Sequence, residues 1–413
     1  MANRVISSAI ISARLRSEFA DMAWVNVIRR VPGFLWLMVT HALRGIGAGL
    51  SRLLGFCEEW LTGRKHAQYG TAIMRIVLGL VGLGLLFSNF AARSYLYGPA
   101  ATWTQESVDP QAALPRVWLF SIVRHLSHSM LFITLVFIVL AVLAALIVVG
   151  WRIRLVLPVY FVLWVSLIET NDAVSDQSDN VYRICLFFLF FADSARRLSL
   201  DARRREKAGY VRGGVLVRAW KGAPVLPEWL TNAAHNLVLV ILTAQVSIIY
   251  ASGGLYKASG TLWEQGIAVY GPLQTQLYGS SWPWLSELAT TWGPAVVIAS
   301  WGSIILQVSF PFMLMNRFTR VIALLGIVGF HISIAVLMGL PWFSLAMIAI
   351  DAIFVRDRTW LAIGHGVTKS WRSTADQTAE QTSEQPAEQP EPVGTRRSAR
   401  AAEKPATEPA ASI

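Results

Sequence analysis

The sequence predicts an all-α, polytopic membrane protein in which about eight helices cross the bilayer, some of them short or re-entrant, with both termini cytoplasmic. Three observations predict it. Hydrophobic residues make up 54 % of the 413-residue chain and charged residues only 15 %, against the usual quarter. The apolar surplus falls in uncharged runs of about 20 residues, the length a helix needs to cross a hydrocarbon core about 30 Å thick. Lys and Arg concentrate in alternate loops between those runs. Together these exclude a water-soluble globular protein.

Residues 1–67 form an N-terminal interfacial region. Arg44 and Arg52 interrupt its most apolar stretch, Gly33 to Phe56, and this placement of Arg among Leu, Trp and Phe suits an amphipathic helix lying on the membrane. No cleavable signal-peptide pattern is present. The transmembrane domain, residues 68–357, opens with a span at Ala72–Ala92. A second, Ser129–Val149, carries no charge. The link Trp151-Arg152-Ile153-Arg154 returns the chain into a third span ending near Ile168. Val181–Ala192 is apolar but short, so span four is extended by its flanks or partly re-entrant. Spans five to seven follow at about Asn236–Leu255, Pro294–Met315 and Val321–Leu340, and Pro341–Val355 forms a short eighth. Residues 358–413 read as a disordered cytoplasmic tail, because the Thr/Glu/Gln/Pro/Ala repeats beyond Thr368 cannot build a core.

Loop charge fixes the orientation. Residues 1–70 carry nine Lys and Arg, and Ser194–Leu230 nine more, whereas Tyr256–Gly293 carries only Lys257 and the acidic loop before Val181 none. This alternation places the plasma membrane between cytoplasmic basic loops and an acidic outer face. The net charge of +11 then belongs to topology and anionic headgroups, with the bilayer as partner and no nucleic acid. Two cysteines, Cys57 and Cys185, supply neither a disulfide framework nor a metal site.

Ionisable residues inside spans are costly and are examined first for function. Arg75, one turn into the first span, suits snorkelling to headgroups. His331 and Asp351 both fall near mid-membrane, where they can share a hydrogen bond, structural or part of a proton relay. On the outer face, Tyr250–Gly266 reads YASGGLYKASGTLWEQG, a lone Lys257 preceded by two glycines and followed by Trp263-Glu264. Two fates are open to Lys257. It pairs with Asp176 or Asp179 and is structural, or it faces an apolar pocket beside Tyr256, Trp263, Gly253 and Gly254 and works as a general base.

These residues carry a resemblance. Arg75, the D-N-V-Y-R run at Asp179–Arg183, GGLYK…WEQG at Gly253–Gly266 and FHISIAVLMGLPWFSLAMIA at Phe330–Ala349 resemble the horizontally transferred transmembrane (HTTM) domain family, bacterial relatives of vitamin K-dependent gamma-carboxylase, over about residues 68–357. The resemblance implies that Lys257 is the base that deprotonates a reduced quinone, with Asp179, Glu264 and His331 as further catalytic candidates and Tyr256 and Trp263 as candidate contacts to the quinone. In the carboxylase, the quinol then reacts with oxygen, and the strong base so formed takes a proton from glutamate before carbon dioxide adds. This chain departs from that pattern at three points. One extra residue separates Lys257 from Trp263, the position of a His that assists carboxylation falls near Asp179, where no His stands, and the large C-terminal lumenal portion has no counterpart. Two functional readings therefore stand: an enzyme acting on a quinol or other lipid-soluble substrate, and a non-enzymatic scaffold, immunity-type factor or partner in maturing a secreted peptide.

Overall fold

The computed structural model describes residues 35–104, 117–208, 213–275 and 282–384, together with positions 14 and 33. Among the described residues all regular structure is helical. The principal helices are α1 (residues 35–62), α2 (Gln68–Asn89), α3 (Met130–Val149), α4 (Ile153–Ile168), α5 (Gln177–Phe191), α6 (Leu200–Ala208), α7 (Glu228–Ala258), α8 (Gly293–Met313), α9 (Arg317–Leu337), α10 (Pro341–Asp351) and α11 (Asp357–Glu384). Each of the eight predicted segments is helical. Five of them, α2, α3, α7, α8 and α9, are long and apolar enough to cross a membrane. The others, α4, α5 and α10, have 16, 15 and 11 residues and are too short to do so unaided.

The ends of these helices are fixed by specific donors and acceptors. Asp357 accepts from the free N–H groups of Gln68 (3.2 Å) and Tyr69 (2.9 Å) and so caps α2 from the far end of the sequence. Asp201 does the same for α4, accepting from Arg152 (2.9 Å) and Ile153 (3.0 Å). Asp176 and Asp179 form a capping box at the start of α5. Gly150, at φ 70°, ends α3 in the left-handed conformation that glycine adopts without strain.

Helix α10 is the hub, packing against α2, α5, α7 and α9; α7 lies along α8, and α2 along α3. Its face bearing Ser344, Met347, Ile350 and Asp351 is buried. The outward faces of the longer helices are apolar and exposed, as in Leu131, Leu135 and Ile138 on α3 or Ile298, Ile305 and Phe312 on α8, which is the surface a lipid environment requires. In α1, Arg44, Arg52 and the large apolar residues from Leu35 to Phe56 are exposed. Its C-terminal end is held by Asn236, whose side-chain amide donates to the carbonyls of Trp60 (3.0 Å), Leu61 (2.8 Å) and Arg64 (2.7 Å).

Two expectations are corrected. Arg75 does not snorkel. It is fully buried and donates to the carbonyls of Ile147, Val148 (2.7 Å), Ser194 (3.3 Å) and Leu198 (2.7 Å), tying the last turn of α3 to the chain after α5. A guanidinium with five donors meets four carbonyls, which makes the contact structural. Residues 358–384 of the predicted disordered tail are helical instead. Composition ruled out a core there, but Ala, Glu, Gln, Lys and Arg are good helix formers without one. The chain divides into compact units at residues 1–360 and 361–413; in the second, the helix runs on to Glu384, and 385–413 lie outside the described residues.

Candidate functional site

Lys257 occupies the last turn of α7. Its ammonium donates to Gln307 Oε1 of α8 at 2.8 Å and lies 5.2 Å and 5.1 Å from the ring centroids of Trp263 and Phe330. No carboxylate lies within 4 Å of it among the described residues. The acidic partners expected for Lys257, Asp176 and Asp179, are engaged with each other's backbone, and the neighbouring Glu169 pairs with Arg183 at 2.6 Å. Of the two fates, the structural ion pair is absent from this arrangement.

The two glycines before Lys257 have separate roles. A Cβ on Gly254 would come 2.7 Å from Val308 Cγ2 and 3.2 Å from Val308 N, so this glycine lets α7 and α8 touch. A Cβ on Gly253 would meet only Gln307 Oε1, at 4.0 Å. Open space therefore lies beside Gly253, on the side of the amide oxygen that holds Lys257. Sequence reasoning assigned both glycines to ligand space; the structure reserves one for helix packing.

Deeper in the domain, three helices bring Tyr250, His331 and Asp351 together. Tyr250 Oη donates to Asp351 Oδ2 at 2.7 Å and lies 3.1 Å from His331 Nε2. A phenol has one proton, so with that proton given to Asp351, His331 Nε2–H donates to the phenolic oxygen. His331 Nδ1 and Asp351 Oδ1 are then left buried without a partner among the described residues. The expected hydrogen bond between His331 and Asp351 thus passes through Tyr250. Aromatic rings enclose the chain, with Phe310 against Tyr250 and Phe330 and Phe343 against His331. Phe330 lies between the two sites, its ring 5.1 Å from the Lys257 ammonium and 5.2 Å from the His331 ring.

The structure brings together Lys257, Trp263 and His331. It does not bring in the other candidates. Tyr256 is 83 % exposed and Glu264 is exposed, neither with a side-chain hydrogen bond or ion pair to Lys257 among the described residues, and Asp179 serves the α5 cap. Sequence reasoning missed Gln307 and Tyr250. Tyr250 had a signal, since it precedes Lys257 by seven residues, two turns along one helix face; Gln307, neutral and on another helix, had none.

Compared with known protein families, residues 225–360 match the HTTM domain. The chain carries an HTTM domain. Comparison with curated proteins and with solved structures gave no match. The HTTM domain holds α7 to α10 and with them Tyr250, Lys257, Gln307, His331 and Asp351, so the whole cluster lies inside it. Arg75 and Asp179–Arg183 lie before the matched stretch. With its apolar helices, the HTTM domain makes this a membrane protein.

Proposed function

We propose that this HTTM-domain protein is a membrane enzyme in which Lys257 takes the proton of a phenolic hydroxyl on a lipid-soluble substrate, a reduced quinone being the class that the resemblance implies. In this reading eight segments cross the plasma membrane, both termini are cytoplasmic, and Lys257 stands at the outer face. The observation that carries it is a lysine held by a neutral amide and two ring faces, with no carboxylate within 4 Å among the described residues and open space beside Gly253. A phenol that gives its proton to the Lys257 amine becomes the phenolate that the resulting ammonium lacks as a counter-ion. Trp263 and Phe330 offer apolar faces to an aromatic ring, and the buried His331–Tyr250–Asp351 chain offers acceptors for a proton passed inward.

A second reading, a non-enzymatic partner in maturing a secreted peptide, draws on exposed aromatic residues, Tyr256 in the last turn of α7 and Trp284 and Trp292 in the segment after it. Lys257→Met separates the two, because it keeps the side-chain length and removes the amine. In a deletion strain, the enzymatic reading expects a folded, membrane-accumulated Lys257→Met protein that does not complement. Full complementation by that protein would remove the catalytic role.

A further inference from the structure

Away from Lys257, a cavity of about 550 Å³ opens between the start of α4, the segment from Ala192 to Arg205 and the start of α7. Six basic and three acidic side chains line it. The acids are largely committed within the chain. Asp193 pairs with Lys65 at 2.8 Å and Arg205 at 3.6 Å, and Asp201 caps α4 and pairs with Arg204 at 3.2 Å. Arg152 and Arg154 have no carboxylate within 4 Å among the described residues. Arg152 is stacked on the Trp220 ring, 3.3 Å from its centroid, which fixes the guanidinium at the cavity wall. Arg152 Nε and Arg204 Nε and Nη1 are buried with no acceptor among the described residues, so the wall holds more donors than the chain satisfies.

The rest of the lining is apolar. Leu155, Phe190 and Leu226 line the cavity and are also 58 %, 45 % and 51 % exposed at the protein surface, so the basic wall continues onto a greasy one. We propose that this cavity binds a phosphate group, carried by the headgroup of an anionic phospholipid. The phosphate takes guanidinium donors from Arg152, Arg154 and Arg204, and the acyl chains lie along Leu155 and Phe190. A free anion would use the same donors and leave the apolar wall uncovered.

The test uses the full-length protein purified in detergent, with retained lipid counted by native mass spectrometry and thermal melting followed in parallel. Phosphatidylglycerol, phosphatidylcholine and inorganic phosphate are the probes, and Arg154→Gln, Arg154→Lys and Arg152→Gln/Arg154→Gln are the variants. Phosphatidylglycerol should be retained in preference to phosphatidylcholine, and the preference should fall roughly fivefold for each cation removed. Arg154→Lys should keep it. Arg154 makes no ion pair, so Arg154→Gln should melt as the wild type does when lipid is withheld. A melting shift that millimolar inorganic phosphate reproduces in full would assign the same donors to a free anion. Equal retention of the two lipids with no response to phosphate, or undiminished phosphatidylglycerol binding by the double variant, would overturn the site.

Discussion

Tyr250 Oη donates to Asp351 Oδ2 at 2.7 Å, and through that bond the long helix α7 is joined to the short hub helix α10. The same phenol contacts His331 on α9, so one hydroxyl serves three helices. Its removal leaves an acid and an imidazole buried without partners. Tyr250→Phe should therefore destabilise the protein by about 1–3 kcal/mol, the cost of stranding buried polar groups, although it changes the packed volume little. Thermal melting in detergent reads this directly. A melting temperature equal to that of the wild type would show that the chain is not a fastening.

The glycine pair gives a second contrast. Gly254→Ala places a methyl group against a β-branched side chain and backbone of α8, and should cost about 1–3 kcal/mol through forced separation of α7 and α8. Gly253→Ala meets open space and should leave the melting temperature within error while narrowing the room beside Lys257. Equal destabilisation by the two would contradict their division of roles.

Asp193 sets a pH dependence. Burial raises the pKa of its carboxyl, but Lys65 and Arg205 outweigh that and hold it below the usual carboxylate range. A carboxyl depressed in the folded state stabilises at every pH above its unfolded value, about 3.9, and loses that contribution as pH falls through the lower folded value. The melting difference between wild type and Asp193→Asn should therefore be constant from about pH 5 to 8 and shrink below about pH 4. A difference that instead declined between pH 7 and 5 would mean that Asp193 is not held ionised by its cations.

Orientation is tested by labelling in intact cells. In a Cys57→Ser background, cysteines at the exposed positions Arg203 and Thr275 should react oppositely with a membrane-impermeant maleimide, Thr275→Cys labelled and Arg203→Cys protected. Labelling of Arg203→Cys would invert the scheme and move Lys257 to the inner face.

The helices were legible in the sequence because the signal is local: an uncharged run such as Ser129–Val149 states its own length. What joins them was not legible. Asp357 caps α2 from 289 positions away, and nothing in either segment names the other. Arg75 read as a headgroup contact because a lone Arg near a span end usually is one; its four carbonyl acceptors come from α3 and the chain beyond α5. Lys257 was legible as the single cation of its loop, and Trp263 as its neighbour six residues further on. The amide oxygen of Gln307 was not, since a neutral residue 50 positions away leaves no trace in charge or hydropathy.

The central claim is that Lys257 takes a phenolic proton, and a redox-inert naphthol analogue of a quinol tests it without turnover. Bound to the detergent-purified protein at neutral pH, below the range where the free naphthol ionises, the ligand should show the red-shifted absorbance of the naphtholate. Lys257→Met should abolish that band while its melting temperature shows a folded protein. A bound naphthol that keeps the spectrum of the neutral phenol, or a naphtholate band of equal size in Lys257→Met, would contradict the account.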